Sequence, residues 1–108
     1  MEWVDSRTGV LNWKGSSGIK PMQREFLIKN KLGLHARAAA KLVQIGNGYT
    51  SNLTLQYDGQ EVDGKSILSI LTLACPFGSQ ITLRADGPDA ENLMEAAERL
   101  IDDKFGEE

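Results

Sequence analysis

Asn52-Leu53-Thr54-Leu55-Gln56-Tyr57-Asp58-Gly59-Gln60-Glu61-Val62-Asp63 settles the fold class. Leu53, Leu55 and Tyr57 alternate with Asn52, Thr54 and Gln56. That is the period-two pattern of a strand with one face buried and the other in water. Asp58-Gly59 is a two-residue hairpin signal, because the tight hairpin turn needs positive φ at its centre and these residue types adopt it readily. The chain therefore returns antiparallel through Gln60–Asp63. An antiparallel sheet of this kind needs cover on one face only.

The flanks supply the cover. On the N-terminal side, Phe26 and Ile28 with Leu27 between them predict a strand over Glu25–Asn30. Ala36, Ala39, Ala40 and Val43 then fall at helical spacing, and Gly46-Asn47-Gly48 stops that helix. Beyond the hairpin, Ser66 precedes Ile67, Leu68, Ile70 and Leu71, which predicts a short apolar helix with Ser66 as its N-cap. Ile81, Leu83 and Ala85 alternate after a turn around Pro76–Gly78. Asp86-Gly87-Pro88-Asp89 opens a last helix whose apolar stripe is Ala90, Leu93, Met94, Ala97, Leu100 and Ile101. The order is β-α-β-β-α-β-α, an α+β fold with the helices on one face of a four-stranded antiparallel sheet. Residues 1–21 carry no sustained period and are punctuated by Gly, Ser and Pro, so disorder is expected there. Trp3 and Trp13 lie in that segment and could dock on the domain or on a partner. The domain proper is expected over residues 22–108.

Bulk properties narrow the function. The chain has 108 residues, enough for one modest core, with 41% hydrophobic and 25% charged residues. No apolar run approaches the ~20 residues needed to span a bilayer, so no membrane insertion is expected. Glu2 and Asp5 at the start argue against a secretory signal. A net charge of −3 argues against nucleic-acid binding. The single cysteine, Cys75, fits a reducing cytoplasm, has no partner for a metal site, and reads as a small apolar residue. No metal and no cofactor are implied. Basic Arg24, Lys29, Lys31, Arg37, Lys41 and Lys65 precede an acidic end running from Asp86 to Glu108. The basic part could face an acidic partner, and the acidic end reads as solvated surface.

Chemistry concentrates in Leu32-Gly33-Leu34-His35-Ala36-Arg37, which holds the only histidine. Imidazole is largely a free base near neutral pH and can attack phosphorus. The mouth of a helix offers unpaired N–H groups and partial positive charge to an anion. Arg37 adds a guanidinium matched to phosphate oxygens. Gly64-Lys65-Ser66 is not a nucleotide-binding loop, since the upstream glycine is missing.

Gly33-Leu34-His35-Ala36-Arg37, Ala39-Ala40, Val62-Asp63-Gly64-Lys65-Ser66-Ile67, Gly78 and Asp89-Ala90-Glu91, in this order from about Met22 to Phe105, resemble HPr. HPr is the histidine-containing phosphocarrier of the bacterial phosphoenolpyruvate-dependent sugar phosphotransferase system. The resemblance implies an open-faced β-sandwich. It implies that His35 accepts a phosphoryl group on Nδ1 from phosphorylated enzyme I and passes it to a histidine of an enzyme IIA component. Arg37 would neutralise the phosphoryl charge. Ser66 would be a regulatory target of HPr kinase/phosphorylase. Independently of the resemblance, a short helix cannot bury all of Ile67, Leu68 and Leu71. Part of this set, Leu68 for preference, is therefore expected to form with Ala40 and Gln44 an exposed docking patch near His35, ringed by Arg37, Lys41 and Lys65. The protein would be a monomer, and a phosphoryl carrier with a phosphohistidine intermediate rather than a stand-alone enzyme. Two positions depart from the family pattern: Ala38 stands where proline is usual, and Leu32 where a small polar residue is usual.

Two other classes fit the element order less well. A ferredoxin-like or RNA-recognition-like module would want exposed aromatics on the sheet, where only Tyr57 is on offer. A regulator acting through Ser66 alone, or a carrier of a nitrogen-related branch, would use the same residues toward different partners.

Overall fold

A computed structural model describes residues 21–107, together with the backbone of Val4–Asp5 and Val10–Leu11, which pair antiparallel. Apart from those pairs and Pro21, the disorder expected over residues 1–21 and the docking of Trp3 and Trp13 fall outside the described residues. The domain runs β1 (Met22–Leu27), α1 (Ala36–Asn47), β2 (Asn52–Tyr57), β3 (Gln60–Asp63), α2 (Ile67–Leu73), β4 (Gln80–Asp86) and α3 (Ala90–Asp102). A short 3-10 turn, Lys104–Gly106, follows α3.

The sheet order is β1-β4-β2-β3, and every neighbouring pair is antiparallel. Asp58 and Gly59 both adopt positive φ, 53° and 83°, and bring Tyr57 opposite Gln60. The last strand in the chain, β4, fills the slot between β1 and β2, pairing Phe26 with Ile81 and Leu55 with Leu83. Those side chains share one face with Leu53 and Ala85 and are buried beneath the helices. Glu25, Thr82, Gln56 and Glu61 lie on the other, open face, where Arg84 donates to both oxygens of Glu61 at 3.2 and 3.3 Å. The α+β open-faced sandwich expected from the alternation is the observed fold. Among the described residues no helix is long and apolar enough to cross a membrane.

Three details differ from the sequence reading. The first strand begins at Met22 and ends at Leu27 rather than spanning Glu25–Asn30. Ile28 still exchanges backbone bonds with Gly78 and Ser79, but Asn30 leaves the sheet to enter the turn before α1. The buried stripe of α1 is Ala38, Ala39, Leu42, Val43 and Gly46, while Ala36 is exposed and Ala40 only partly covered. Ala38 is fully buried, so a small side chain suits that position whether or not a proline ring fixes the first turn. The third concerns charge: the basic and acidic parts of the chain are interleaved, since Arg24 donates to Glu98 at 2.6 Å and Lys29 to Asp102 at 3.2 Å.

Asp89 ties the start of α3 to the loop after α1. Its carboxylate accepts from the amides of Thr50 and Ser51 at 2.9 and 2.8 Å and from the Ser51 hydroxyl at 2.5 Å. The Ser51 hydroxyl bond, then the Thr50 amide, hold the Asp89 carboxyl below its ordinary value. A carboxyl depressed in the folded state stabilises the fold above its unfolded value and loses that contribution as pH falls through the folded one. Asp89→Asn is therefore expected to be less stable than the parent at neutral pH, the difference closing at acid pH below about 4, as read from urea midpoints at each pH. A second site offers a gain. Ala74 ends α2 in the left-handed region (φ 52°, ψ 48°), where a Cβ is strained. Ala74→Gly is expected to raise the unfolding free energy by about 0.5–1 kcal/mol.

Candidate functional site

The segment between β1 and α1 seats His35. Gly33 has φ 69°, and a Cβ there would lie 2.4 Å from the Cys75 carbonyl oxygen. That close approach lets the Leu34 amide donate to the same carbonyl at 2.9 Å, and the Leu34 side chain is buried. The Asn30 side chain, 1% exposed, holds the turn by donating from Nδ2 to the Gly33 carbonyl at 2.7 Å. Cys75 contributes backbone rather than chemistry, because burial pushes its thiol up to about 11. The His35 backbone is extended (φ −77°, ψ −178°), and α1 begins at the next residue.

His35 is the N-cap of α1. The first-turn amides of a helix have no acceptor within it, and the Arg37 amide donates to His35 Nδ1 at 3.2 Å. The other ring nitrogen, Nε2, meets the Glu107 carboxylate. The ring is half-buried, with 23% of its side-chain surface exposed, so a reacting group can reach it. The Glu107 carboxyl is held below the ordinary carboxylate range first by its bond with His35, then by a bond from Asn30 and by the charge of Arg37. An ionised carboxylate can only accept. The proton therefore sits on Nε2, and the lone pair of Nδ1 faces the open end of α1.

Glu107 reaches this position through the turn after α3. Lys104, Phe105 and Gly106 take φ values of 54°, 58° and 76°. Two consecutive left-handed residues bearing a Cβ cost about 1–2 kcal/mol each. Burial of the Phe105 ring, which is 1% exposed, returns about 3 kcal/mol. A 2.7 Å bond donated by the Lys41 ammonium to the Phe105 carbonyl adds to this.

The remaining site residues named from sequence lie as follows. Arg37 is exposed and borders an open depression together with Lys29, Lys31, Leu32, Phe77 and Glu107. Lys41 is committed to Phe105, and Lys65 donates to the Tyr49 carbonyl at 3.1 Å, so both ammonium groups are engaged within the domain. Ser66 caps α2, its hydroxyl accepting from the Ser69 amide at 3.2 Å. Leu68 is 77% exposed, Ile67 and Gln44 are exposed, Ala40 is half-covered, and Leu71 packs partly against the core. α1 and α2, which carry these residues, pack against each other.

Sequence reading placed Glu107 in a solvated acidic surface and gave Asn30 to a strand. Both contact the histidine system instead. Asn30 donates to Glu107 Oε1 at 3.1 Å and so orients the carboxylate. A signal was available in Phe105-Gly106: an aromatic off the α3 stripe followed by glycine marks a chain that turns back onto the core.

A family model described as the PTS HPr component phosphorylation site matches residues 22–103. The phosphocarrier protein HPr of Cupriavidus necator is 46% identical over 86 residues, covering 80% of this chain and 97% of that protein. The phosphocarrier protein HPr of Xylella fastidiosa strain 9a5c is 44% identical over 87 residues, covering 81% and 98%. In three dimensions, the crystal structure of HPr-C-His from Thermoanaerobacter tengcongensis matches with a TM-score of 0.78 at 40% identity, covering 81% of this chain and 98% of that one.

Gly33→Ala tests the seat of the ring. The added Cβ would meet the Cys75 carbonyl in a backbone region that alanine disfavours, so a stability loss of about 2 kcal/mol is expected. The His35 ring resonances should shift with it. A thermal midpoint and ring spectrum equal to the parent's would show that the turn does not depend on glycine.

Proposed function

The chain belongs to the HPr family of phosphocarrier proteins of the phosphotransferase system, and from that membership we propose that His35 carries a phosphoryl group on Nδ1. It takes the group from phosphorylated enzyme I and gives it to a histidine of an enzyme IIA component, moving between them in the cytoplasm to serve sugar uptake. The observation that supports this most is the state of the ring: its Nδ1 lone pair lies at the mouth of α1 against the Arg37 amide.

In that position the chemistry needs little rearrangement. When Nδ1 attacks phosphorus, the Arg37 amide can pass from the ring nitrogen to a phosphoryl oxygen. The positive end of the helix dipole faces the incoming charge. The exposed Arg37 guanidinium can close on the remaining oxygens. Stabilisation of this kind is intermediate, as a relay requires: strong enough to keep the adduct while the protein diffuses, weak enough to release the group to a partner. Leu68 and Ile67, exposed on α2, and Ala40 and Gln44 on α1 supply an apolar surface for transient docking.

Ser66 supports a regulatory reading alongside the relay. Its hydroxyl already sits at a helix start, where a phosphate added by HPr kinase/phosphorylase would be tolerated without unfolding. The added charge would lie on the docking surface and repel an acidic partner.

The experiment is intact-mass measurement after incubation with enzyme I and phosphoenolpyruvate under mildly alkaline conditions. The parent should gain one acid-labile phosphoryl group, and His35→Ala none. Arg37→Glu should slow uptake by on the order of 10²-fold with the fold intact. Ser66→Asp should accept the group more slowly from enzyme I. An adduct that persists in His35→Ala would refute the assignment of the carrier residue.

A further inference from the structure

We propose that Glu107 is a positioning residue for phosphoryl transfer: its carboxylate holds the His35 ring proton on Nε2 in both the free and the loaded protein. Nδ1 is thereby the nitrogen that attacks, and the ring departs as neutral imidazole when the group is handed on. The inference rests on His35 being the phosphoryl carrier, and it adds a residue beyond positions 22–103, which the family model matches.

The Glu107 carboxylate is built into place rather than resting on the surface. Its acidic neighbours Asp102 and Asp103 are exposed, whereas only 18% of the Glu107 side-chain surface is exposed. One of its oxygens meets His35 Nε2, and the other accepts from the buried Asn30 amide. Asn30 is itself fixed on the Gly33 carbonyl, two residues before the histidine. Phe105, buried with a left-handed backbone, anchors the turn that delivers Glu107, and Lys41 from α1 clamps the Phe105 carbonyl. One chain of contacts thus joins the turn before α1, the ring and the segment after α3. A carboxylate on the far ring nitrogen fixes the tautomer and pairs with the charge that a reacting imidazole acquires.

The transfer balances without moving a proton. In loading, the Nδ1 lone pair forms a bond to phosphorus as the donor's bond to phosphorus breaks, and the donor keeps that electron pair. The ring then carries phosphorus on Nδ1, hydrogen on Nε2 and a positive charge facing the Glu107 carboxylate. In unloading, the acceptor's lone pair bonds to phosphorus and the Nδ1–P electron pair returns to Nδ1. The ring emerges neutral with its proton still on Nε2. Without that proton the leaving group would be an imidazolate anion, a far poorer one.

The test compares the full-length parent with Glu107→Gln and Glu107→Ala, each checked for an unchanged circular-dichroism spectrum. In 15N-labelled protein at alkaline pH, where a free imidazole is neutral, the parent ring should show a protonated Nε2 and a bare Nδ1. In both variants the two nitrogen signals should move toward each other as the tautomers mix. Phosphoryl uptake should fall by on the order of ten-fold. Glutamine keeps the size of the side chain and can still accept from Asn30, so a purely structural role would leave Glu107→Gln with the parental pattern. A parental 15N pattern in Glu107→Gln, whatever Glu107→Ala shows, or a mixed pattern in the parent, would overturn the proposal. Failure of the parent to take up any phosphoryl group would overturn the carrier reading. The two failures are told apart because the 15N pattern is read with no donor present.

Discussion

The close approach of Gly33-Leu34 to the Cys75 carbonyl governs where α1 begins, and the start of α1 governs where the His35 imidazole sits. Gly33 has no Cβ to collide with that carbonyl, so the Leu34 amide can bond to it. The next residue is then released from the turn in an extended conformation, with its side chain over the first helical amides. Histidine is an unusual N-cap, since Ser, Thr, Asp and Asn dominate there. It works as a cap only through an unprotonated Nδ1, which is the form needed for nucleophilic attack. Capping and the proposed phosphoryl transfer therefore call for the same form of the ring.

The sheet makes this possible from a distance. Because β4 enters last and lies between β1 and β2, the helices must close over a single face, and α1 and α3 come to rest against each other. The chain after α3 is thereby left beside the start of α1. Burial of Phe105 then fixes the direction of the next residues despite their unfavourable backbone angles. Charge is distributed accordingly. On α3, Glu98 and Asp102 pair with Arg24 and Lys29 of β1 and the segment after it, while Glu107, beyond α3, is directed to the histidine.

Much of the fold was legible in the chain. Alternation in Leu53-Thr54-Leu55 and Ile81-Thr82-Leu83 is short-range, repeats within a few residues, and reports directly which side of a strand is buried. Asp58-Gly59 and the Ser66 cap are likewise local, because the conformations they favour depend on two to four residues. Boundaries were less secure. The strand read over Glu25–Asn30 runs Met22–Leu27 instead, and Leu27, between Phe26 and Ile28, is an apolar residue 51% exposed on the open face. In α1 a run of alanines gives no contrast between faces, so Ala36 and Ala40 could not be told from Ala38 by pattern.

The sequence by itself determined the layered α+β layout, the cap on α2, the placement of His35 and Arg37 at a helix start, and the family these motifs resemble. All of these are set by neighbours a few positions apart, where backbone geometry and hydrophobic period leave few choices. Only the tertiary structure decided which ring nitrogen is free, that Asn30 and Glu107 join the histidine, and that Lys41 and Lys65 turn inward. Those outcomes depend on contacts between residues as far apart as His35 and Glu107, separated by 72 positions. A carboxylate can pair with an imidazole at any such separation once the core brings the two chain segments together, and no local pattern encodes that meeting.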